Sequence, residues 1–228
     1  MAVPLVHRTT GAAGGPPVVL LHGLGENAGT WERFAAELAA SRTAIALDLR
    51  GHGSSPWPGQ YTVDAMADDV LAFLDGVPLV DLVGHSMGGY VAALVAARYP
   101  ERVGRLVLEE TPVPPRDGDP LPDDNPPTEP DGPLAFDWHA VTPMRRGLRA
   151  PNPLWWQGIE HVSARTLWIS GGPSSHLDPA RVAMVAATMP AATIVTIPVG
   201  HLVHTDAPDE FARAVLPFLS ADGEPESP

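Results

Sequence analysis

Residues 82–100 of the chain are LVGHSMGGYVAALVAARYP. This stretch reads as a short apolar strand that breaks at Gly84 and continues as an alanine-rich helix. One serine, Ser86, stands between the two, with Gly84 two residues before it and Gly88 two residues after it. A strand-to-helix turn of this kind lifts the serine hydroxyl out of the sheet and aims the free N–H groups of the helix N-terminus at the same place. The spacing predicts that Ser86 is a nucleophile; the alternative is a small residue that packs in a tight turn.

Other short apolar runs alternate with helical patterns along the chain. The runs predict strands at residues 17–23, 43–49, 79–85, 105–110, 165–170 and 192–198. The patterns predict helices capped by Thr30 and Thr62 and two more near residues 179–189 and 208–219. Apolar strands separated by helices are typical of a mostly parallel sheet covered on both faces, with ligands at the edge where the strands end. The predicted fold class is therefore α/β, a doubly wound, mostly parallel sheet. It forms one domain over residues 1–220, and residues 221–228 are expected to be a disordered tail.

The composition limits what the chain can bind and how it can react. Its 228 residues are 44% hydrophobic and carry a formal net charge of −13. Nucleic acids and anionic membranes require a basic surface, so we expect neither as a partner. The chain contains no cysteine, which excludes disulfides, thiolate zinc sites and a cysteine nucleophile. With no signal-peptide pattern at its start and no apolar run near the roughly 20 residues of a membrane helix, we expect a cytoplasmic protein, monomeric or dimeric.

Residues 111–160 interrupt the alternation of strands and helices. They hold 12 of the 27 prolines, and the stretch 112–131 carries six acidic residues against one arginine. The second half is aromatic and contains three arginines that a substrate carboxylate could contact, Arg145, Arg146 and Arg149. Because the segment leaves the sheet at the edge where the strands end, we expect a small cap over a pocket. The tryptophans predicted to contact substrate are Trp138, Trp155 and Trp156. The alternative is a surface loop whose tryptophans pack against the core.

Five motifs, in this order along the chain, carry a resemblance to a known family. They are LLHGLG at residues 20–25, DLRGHGSS at 48–55, GHSMGG at 84–89, LVLEE at 106–110 and VGHLVHTDAP at 199–208. With these motifs the chain resembles the α/β-hydrolase superfamily over nearly all of its length. The resemblance implies a catalytic serine, acid and histidine in that chain order. It argues against the dehalogenase branch, which has an aspartate where this chain has Ser86. It also implies an oxyanion hole formed by the backbone amides of Met87 and Leu24.

The general base must lie at the edge of the sheet where the strands end, and nine histidines are available. His201 follows the last predicted strand and a glycine, and the resemblance favours it because the family has a Gly-His pair there. His204, three residues on, is the alternative. We expect neither a metal nor another cofactor, because His201, His204 and Asp206 have no further ligand pair with supporting spacing. We expect His22 to hold its loop and His85 to face away from the nucleophile.

The acid departs from the family pattern. Its usual position, three residues after the glycine that follows the predicted strand LWIS, holds Ser174 in this chain. Asp178 lies four residues later, but it also reads as the N-cap of a helix. Glu110 ends an earlier strand, and the chain resembles small bacterial esterases in which the acid follows that strand. We therefore expect Glu110, with Asp178 as its rival and Glu109 third, since strand alternation points the two glutamates to opposite faces.

Together these residues predict a serine hydrolase that uses acyl-enzyme chemistry. The aromatic cap favours a small-molecule, ester-like substrate, namely a small to medium, partly apolar carboxylic ester. The same constellation also serves C–C bond hydrolases, aminopeptidases and cofactor-free lyases or cyclases, because a fold does not set the reaction. A non-catalytic ligand-binding relative is a further alternative, against which the intact serine turn and the Gly-His pair argue.

Overall fold

A computed structural model describes residues 1–11 and 16–220 of the chain. The predicted tail at residues 221–228 lies outside the described residues. The strands of the described part are β1 His7–Thr10, β2 Val18–Leu21, β3 Ala44–Leu47, β4 Val80–His85, β5 Val103–Glu109, β6 Arg165–Ser170 and β7 Ala192–Thr196. They form one sheet in the order β1-β3-β2-β4-β5-β6-β7.

Six of these strands are the ones that the apolar runs predict, and they pair in parallel. The predicted mostly parallel α/β sheet is therefore confirmed. The sequence does not predict β1, because it is a short and mostly exposed edge strand with a polar sequence; it pairs antiparallel with β3. The register sets Leu21 beside Gly84 and His85 beside Glu109, so that β2, β4 and β5 end next to one another.

The helices of the described residues are α1 Glu32–Leu38, α2 Val63–Phe73, α3 Met87–Arg98, α4 Val141–Arg149, α5 Pro153–Ile159, α6 Pro179–Ala186, α7 Val203–Asp206 and α8 Pro208–Ser220. Thr62 caps α2 as predicted, because its hydroxyl oxygen accepts a hydrogen bond from the Ala65 amide. The prediction that Thr30 caps the first helix is wrong. A 3-10 turn precedes α1, and its cap is Asn27, whose side-chain oxygen accepts from the Gly29 amide at 2.8 Å. None of the helices in this part of the chain is long and apolar enough to cross a bilayer.

Helices cover both faces of the sheet and bury a separate apolar cluster on each. One cluster combines α2, α3, α4, α5 and α6 with strand residues such as Val19 and Leu82. The other combines α1 and α8 with strand residues such as Val18 and Val83. Neighbouring residues of a strand contribute to opposite clusters because side chains alternate between the two faces of a sheet. This doubly wound arrangement leaves the edge where the strands end open for a site.

The segment between β5 and β6 crosses this open edge before it forms α4 and α5. It is tied back to the loop after β3 by the Gly53 amide, which donates to the Ala135 carbonyl at 2.7 Å. The Phe136 ring stacks on the His52 ring with their centroids 5.6 Å apart. These contacts hold the segment over the ends of the central strands.

Candidate active site

Ser86 lies in a strained turn between β4 and α3. Its φ of 50° and ψ of −116° place a non-glycine residue in the left-handed half of backbone space. The flanking glycines permit the turn, because a Cβ at Gly84 would lie 2.5 Å from the Gly88 carbonyl oxygen. A Cβ at Gly88 would lie 2.3 Å from the Leu21 carbonyl oxygen. Strain of this kind persists only where the surrounding packing enforces it, and it concentrates at functional sites.

A line of hydrogen bonds joins Ser86 to His201 and Glu110. His201 Nε2 lies 3.0 Å from Ser86 Oγ, and His201 Nδ1 lies 3.1 Å from Glu110 Oε2. Glu110 stands one residue beyond β5 and has a φ of 45°; it and Ser86 are the non-glycine residues with positive φ among those described. The carboxylate can accept the Nδ1–H hydrogen, which leaves the Nε2 lone pair facing the serine hydroxyl.

Three donors fix the Glu110 carboxylate, which is almost fully buried. Besides His201, the Gly171 amide donates to Oε1 at 2.5 Å and the Ser175 hydroxyl donates to Oε2. Burial alone would raise the pKa of Glu110, but these hydrogen bonds outweigh it and lower the pKa, so that the carboxylate stays ionised. Gly171 and Ser175 were not predicted as partners of this carboxylate, although both lie in the SGGPSS stretch at residues 170–175.

The residue that follows β6 is Gly171, and the close approach of Gly200 leaves no room for a larger residue there. A Cβ there would lie 1.8 Å from the Gly200 carbonyl oxygen, and the Gly200 amide donates to the Gly171 carbonyl at 3.0 Å. The close approach of these two glycines brings the residue after Gly200, which is His201, to the end of β6 and β5. The turn after β6 thus holds both the Glu110 carboxylate and the loop of His201.

The rival residues have other contacts. Asp178 is exposed at the N-terminus of α6, where its Oδ1 accepts from the Ala180 amide at 2.9 Å. Glu109 accepts hydrogen bonds from the backbone amide and the Nδ1 of His204, both at 2.8 Å. The two adjacent glutamates thus hold different histidines, and the structure brings Glu110, not Asp178 or Glu109, to His201.

Hydrogen bonds hold the loop after β2 in a conformation that leaves the backbone amide of Leu24 without an acceptor in the part of the chain that the structure describes. The Gly23 amide donates to Glu26 Oε2 at 2.7 Å, and the Gly25 amide donates to His52 Nε2 at 3.1 Å. Among the described residues no acceptor takes the Leu24 amide between them. Met87 begins α3, and the first amides of a helix have no intrahelical acceptor. Both predicted oxyanion-hole amides are therefore free to donate to a ligand.

Two buried histidines near this loop are neutral. His22 donates from Nδ1 to the Gly23 carbonyl at 2.7 Å and accepts the Leu49 amide at Nε2. His52 donates from Nδ1 to the Arg50 carbonyl at 3.0 Å and accepts the loop amide at Nε2. Burial lowers the pKa of both rings, and that of His52 falls to about 3. His22 thus holds its loop, as predicted.

His85 does not face away from the site, so that prediction is wrong. Its ring lies against the His201 ring, with centroids 4.8 Å apart, because both of its nitrogens bond to groups around the site. Ligand atoms of Glu26, His85 and His204 lie within 4.8 Å of one another, as in a metal site. Each ring nitrogen already has a partner in the protein: His85 bonds to Glu26, and His204 bonds to Glu109 and Thr30. Hydrogen bonds therefore account for this cluster.

A cavity of about 820 Å³ opens above Ser86 and His201. Its apolar wall includes Leu24, Phe136 and Trp138, so residues of the segment between β5 and β6 line the same cavity as Ser86. Two of the arginines singled out from the sequence, Arg145 and Arg149, also line it, and both pair with Asp123. Arg146 is exposed and does not line this cavity.

The prediction that Trp155 and Trp156 contact substrate is wrong. Both are buried in the core, with exposed fractions of 2% and 4%, and neither lines the cavity. Trp155 stacks on Tyr90 of α3 with ring centroids 5.4 Å apart, and Trp156 Nε1 donates to the Pro114 carbonyl at 3.0 Å. The apolar face of α5 packs on α3 because these two residues and Ile159 recur at helical spacing.

Two lipases are among the known proteins that the chain resembles. Lipase LipV of Mycobacterium tuberculosis is 41% identical over 110 residues, which cover 47% of this chain and 42% of that protein. The sn-1-specific diacylglycerol lipase ABHD11 of Mus musculus is 28% identical over 250 residues, which cover 90% of this chain and 81% of that protein. An uncharacterized protein of Mycobacterium bovis is 46% identical over 101 residues; the chain spans only 29% of its length.

A solved structure and a family model also match the chain. The crystal structure of a hydrolase from Pseudomonas aeruginosa PA01 superposes with a TM-score of 0.79 and 26% identity, covering 95% of this chain and 94% of that one. A family model described as alpha/beta hydrolase fold matches residues 16–153, which is more than half of the chain. On the sheet topology, the serine turn and this match, the chain belongs to the alpha/beta hydrolase fold family.

Proposed function

We propose that the protein is a serine hydrolase that cleaves small to medium, partly apolar carboxylic esters through an acyl-enzyme. The observation that carries the proposal is the hydrogen-bonded line from Ser86 Oγ through His201 to Glu110, with the free Leu24 amide beside it. A serine hydroxyl is a weak nucleophile until a neighbouring base takes its proton, and this arrangement supplies that base.

The proposed reaction has two halves. In the first, His201 Nε2 takes the proton of Ser86 Oγ while the oxygen attacks the ester carbonyl carbon. The carbonyl oxygen becomes an oxyanion between the Leu24 and Met87 amides, and each such donor contributes about 3 kcal/mol to transition-state stability. His201 then gives its proton to the leaving alcohol, and the acyl group stays on Ser86. In the second half, water attacks the acyl carbon while His201 Nε2 takes its proton. His201 then returns that proton to Ser86 Oγ as the bond between Oγ and the acyl carbon breaks, and the carboxylic acid leaves.

Glu110 keeps His201 in the working tautomer. As an ionised carboxylate it accepts the Nδ1–H hydrogen and stabilises the imidazolium that forms in both halves of the reaction. Hydrogen bonds from Gly171 and Ser175 hold the carboxylate in place while the histidine changes charge.

The cavity supports the proposed substrate class. A volume of about 820 Å³ suits a small to medium ligand, and Leu24, Phe136 and Trp138 favour an apolar acyl or alkyl group. The ion pairs of Arg145 and Arg149 with Asp123 leave these side chains on the wall, where a substrate carboxylate could compete for them. C–C bond hydrolases and lyases of the same fold remain the alternative class.

Turnover of p-nitrophenyl butyrate tests the proposal. We expect activity in the wild-type protein and its loss in Ser86→Ala, with an unchanged circular dichroism spectrum and Tm. A His161→Gln variant is the matched control, because His161 is exposed and lies outside the cavity. Full activity in Ser86→Ala would overturn the mechanism, and absence of turnover of any ester by the wild-type protein would overturn the substrate class.

A further inference from the structure

The buried histidines around the site differ in what their ring nitrogens face. His22 and His52 each face one backbone carbonyl and one backbone amide, which a neutral ring satisfies. His85 faces two acceptors. Its Nδ1 lies 3.0 Å from Glu26 Oε2, and its Nε2 lies 2.9 Å from the backbone oxygen of His201.

An imidazole can donate from both nitrogens only in its doubly protonated, charged form. A neutral His85 would turn a lone pair either toward the Glu26 carboxylate or toward the His201 carbonyl. The ring is only 2% exposed, so water has little access to either nitrogen. Leaving a buried acceptor unsatisfied costs free energy, and burying a charge costs free energy unless it is paired. Here the Glu26 carboxylate is that pair.

Charged and titratable groups reach His85 from each element around it. Glu26 comes from the loop after β2, and Glu109 comes from the end of β5. The His201 and His204 rings come from the segment after β7, with centroids 4.8 Å and 5.0 Å from the His85 ring. His22, also from the β2 side, carries no charge that would oppose the proton. Two carboxylates thus surround one ring.

We propose that His85 is a positioning residue that stays an imidazolium at neutral pH and ties the loop of the Leu24 amide to the loop of His201. The tie runs from the Gly23 amide to Glu26 Oε2, from Glu26 Oε2 to His85 Nδ1, and from His85 Nε2 to the His201 carbonyl. It connects the proposed oxyanion donor and the proposed base through a residue that is covalently next to Ser86. The charge state is independent of the proposed function; its effect on turnover rests on that function.

The charged groups around His85 determine the pH at which this hydrogen-bonded connection is lost. Burial would lower the pKa of His85, but Glu109, Glu26 and the His201 carbonyl outweigh it and raise the pKa from 6.5 to about 9. His85 therefore keeps its proton at neutral pH and loses it as the pH rises through about 9. Its contribution to stability is fully present below the unfolded pKa of 6.5 and is lost over the same rise.

The composition leaves few groups besides His85 that could titrate in this range, and neither of the others, Tyr99 and the α-amino group, has a hydrogen bond to Glu26 among those described. The chain has no lysine and no cysteine, the residues that most often titrate in this range. Burial raises the pKa of Tyr61 to about 12 and raises that of Tyr90 as well. A transition near pH 9 that depends on Glu26 therefore points to His85.

The direct test is the charge state of the His85 ring in the wild-type protein. We expect ¹⁵N NMR of the histidine rings, assigned through the backbone, to show both His85 nitrogens protonated at about pH 7 and up to about pH 9. Glu26→Gln should lower that pKa. A neutral His85 ring at about pH 7 would overturn the proposal. So would a shift of the His85 signals on adding Zn²⁺ or EDTA, which would assign Glu26, His85 and His204 to a metal instead.

Turnover tests the positioning role. We expect His85→Gln to lower kcat about 10- to 100-fold while KM changes little, because misplacing catalytic groups by about 1 Å costs about 10²-fold. The kcat of the wild-type enzyme should fall as the pH rises through about 9, and Glu26→Gln should move this fall to lower pH. His161→Gln should leave the pH profile unchanged. An identical alkaline limb in all variants would refute the positioning role, whereas loss of ester turnover in the wild-type protein would refute the proposed function alone.

Discussion

Replacing Glu110 by glutamine isolates the role of the acid without changing the size of the side chain. Glu110 accepts hydrogen bonds from His201, Gly171 and Ser175. In Glu110→Gln the amide oxygen can keep the Gly171 amide at the Oε1 position. The NH₂ group then takes the Oε2 position and faces the Nδ1 of His201.

Two donors cannot face each other, so His201 must move its proton from Nδ1 to Nε2. Nε2–H then points at Ser86 Oγ, 3.0 Å away, and has no lone pair to take the serine proton. The same tautomer error lowers kcat about 10⁴-fold in serine proteases. We therefore expect a loss on the order of 10³–10⁴ in kcat, equivalent to about 4–5 kcal/mol of transition-state stabilisation, with a much smaller change in KM.

The assay is steady-state hydrolysis of p-nitrophenyl butyrate by Glu110→Gln and by Asp178→Asn as the matched control. Asparagine caps helices about as well as aspartate, so α6 and kcat should both be preserved in the control. Urea denaturation of each variant separates a catalytic loss from a folding defect. Near wild-type kcat in Glu110→Gln together with a large loss in Asp178→Asn would refute the assignment.

Two further predictions concern packing and charge. Trp155→Ala should lower the free energy of unfolding by about 3–5 kcal/mol, because it leaves a cavity in the core, and urea titration measures this loss. Trp138→Ala should keep the stability and raise the KM for apolar esters, because Trp138 lines the cavity above Ser86. An equal effect of both substitutions on KM would contradict the assignment of Trp138, and not Trp155, to the cavity wall. Asp69→Asn should lower the free energy of unfolding by about 3–5 kcal/mol, since it leaves the buried Arg50 guanidinium without its counter-charge; a wild-type urea midpoint would contradict this.

The continuous apolar runs were enough to predict the six parallel strands. Five of them, β2 to β6, are largely buried, and strands buried on both faces have few polar residues. The β7 strand is mostly exposed and was predicted from its apolar residues alone. The β1 strand escaped this criterion, since its polar, mostly exposed residues depend on pairing with β3 and not on burial. Thr30 shows the same limit for helix ends. Its competitor Asn27 forms a turn with Gly29, and the sequence alone does not say which polar residue caps.

The pairing of acids with histidines is the part that local sequence could not decide. Glu109 and Glu110 are adjacent, and His201 and His204 are only three residues apart. Which glutamate bonds to which histidine depends on how β5, β6 and the loop after β7 approach one another. Glu110 has a positive φ and its side chain faces His201, and no sequence pattern predicts this backbone angle. The prediction that Trp155 and Trp156 contact substrate failed for a related reason. The aromatic content of the segment suggested a pocket, but the helical spacing on α5 places both side chains in the core.

Reaction with an alkyl p-nitrophenyl phosphonate tests whether Ser86 is the nucleophile. The phosphonate mimics the oxyanion intermediate and stays on the attacking oxygen, so each active site reacts once. We expect one p-nitrophenolate released per chain, one adduct that peptide mass spectrometry locates at Ser86, and no adduct in Ser86→Ala. An adduct on another residue of the folded protein, or equal labelling of Ser86→Ala, would show that Ser86 is not the nucleophile.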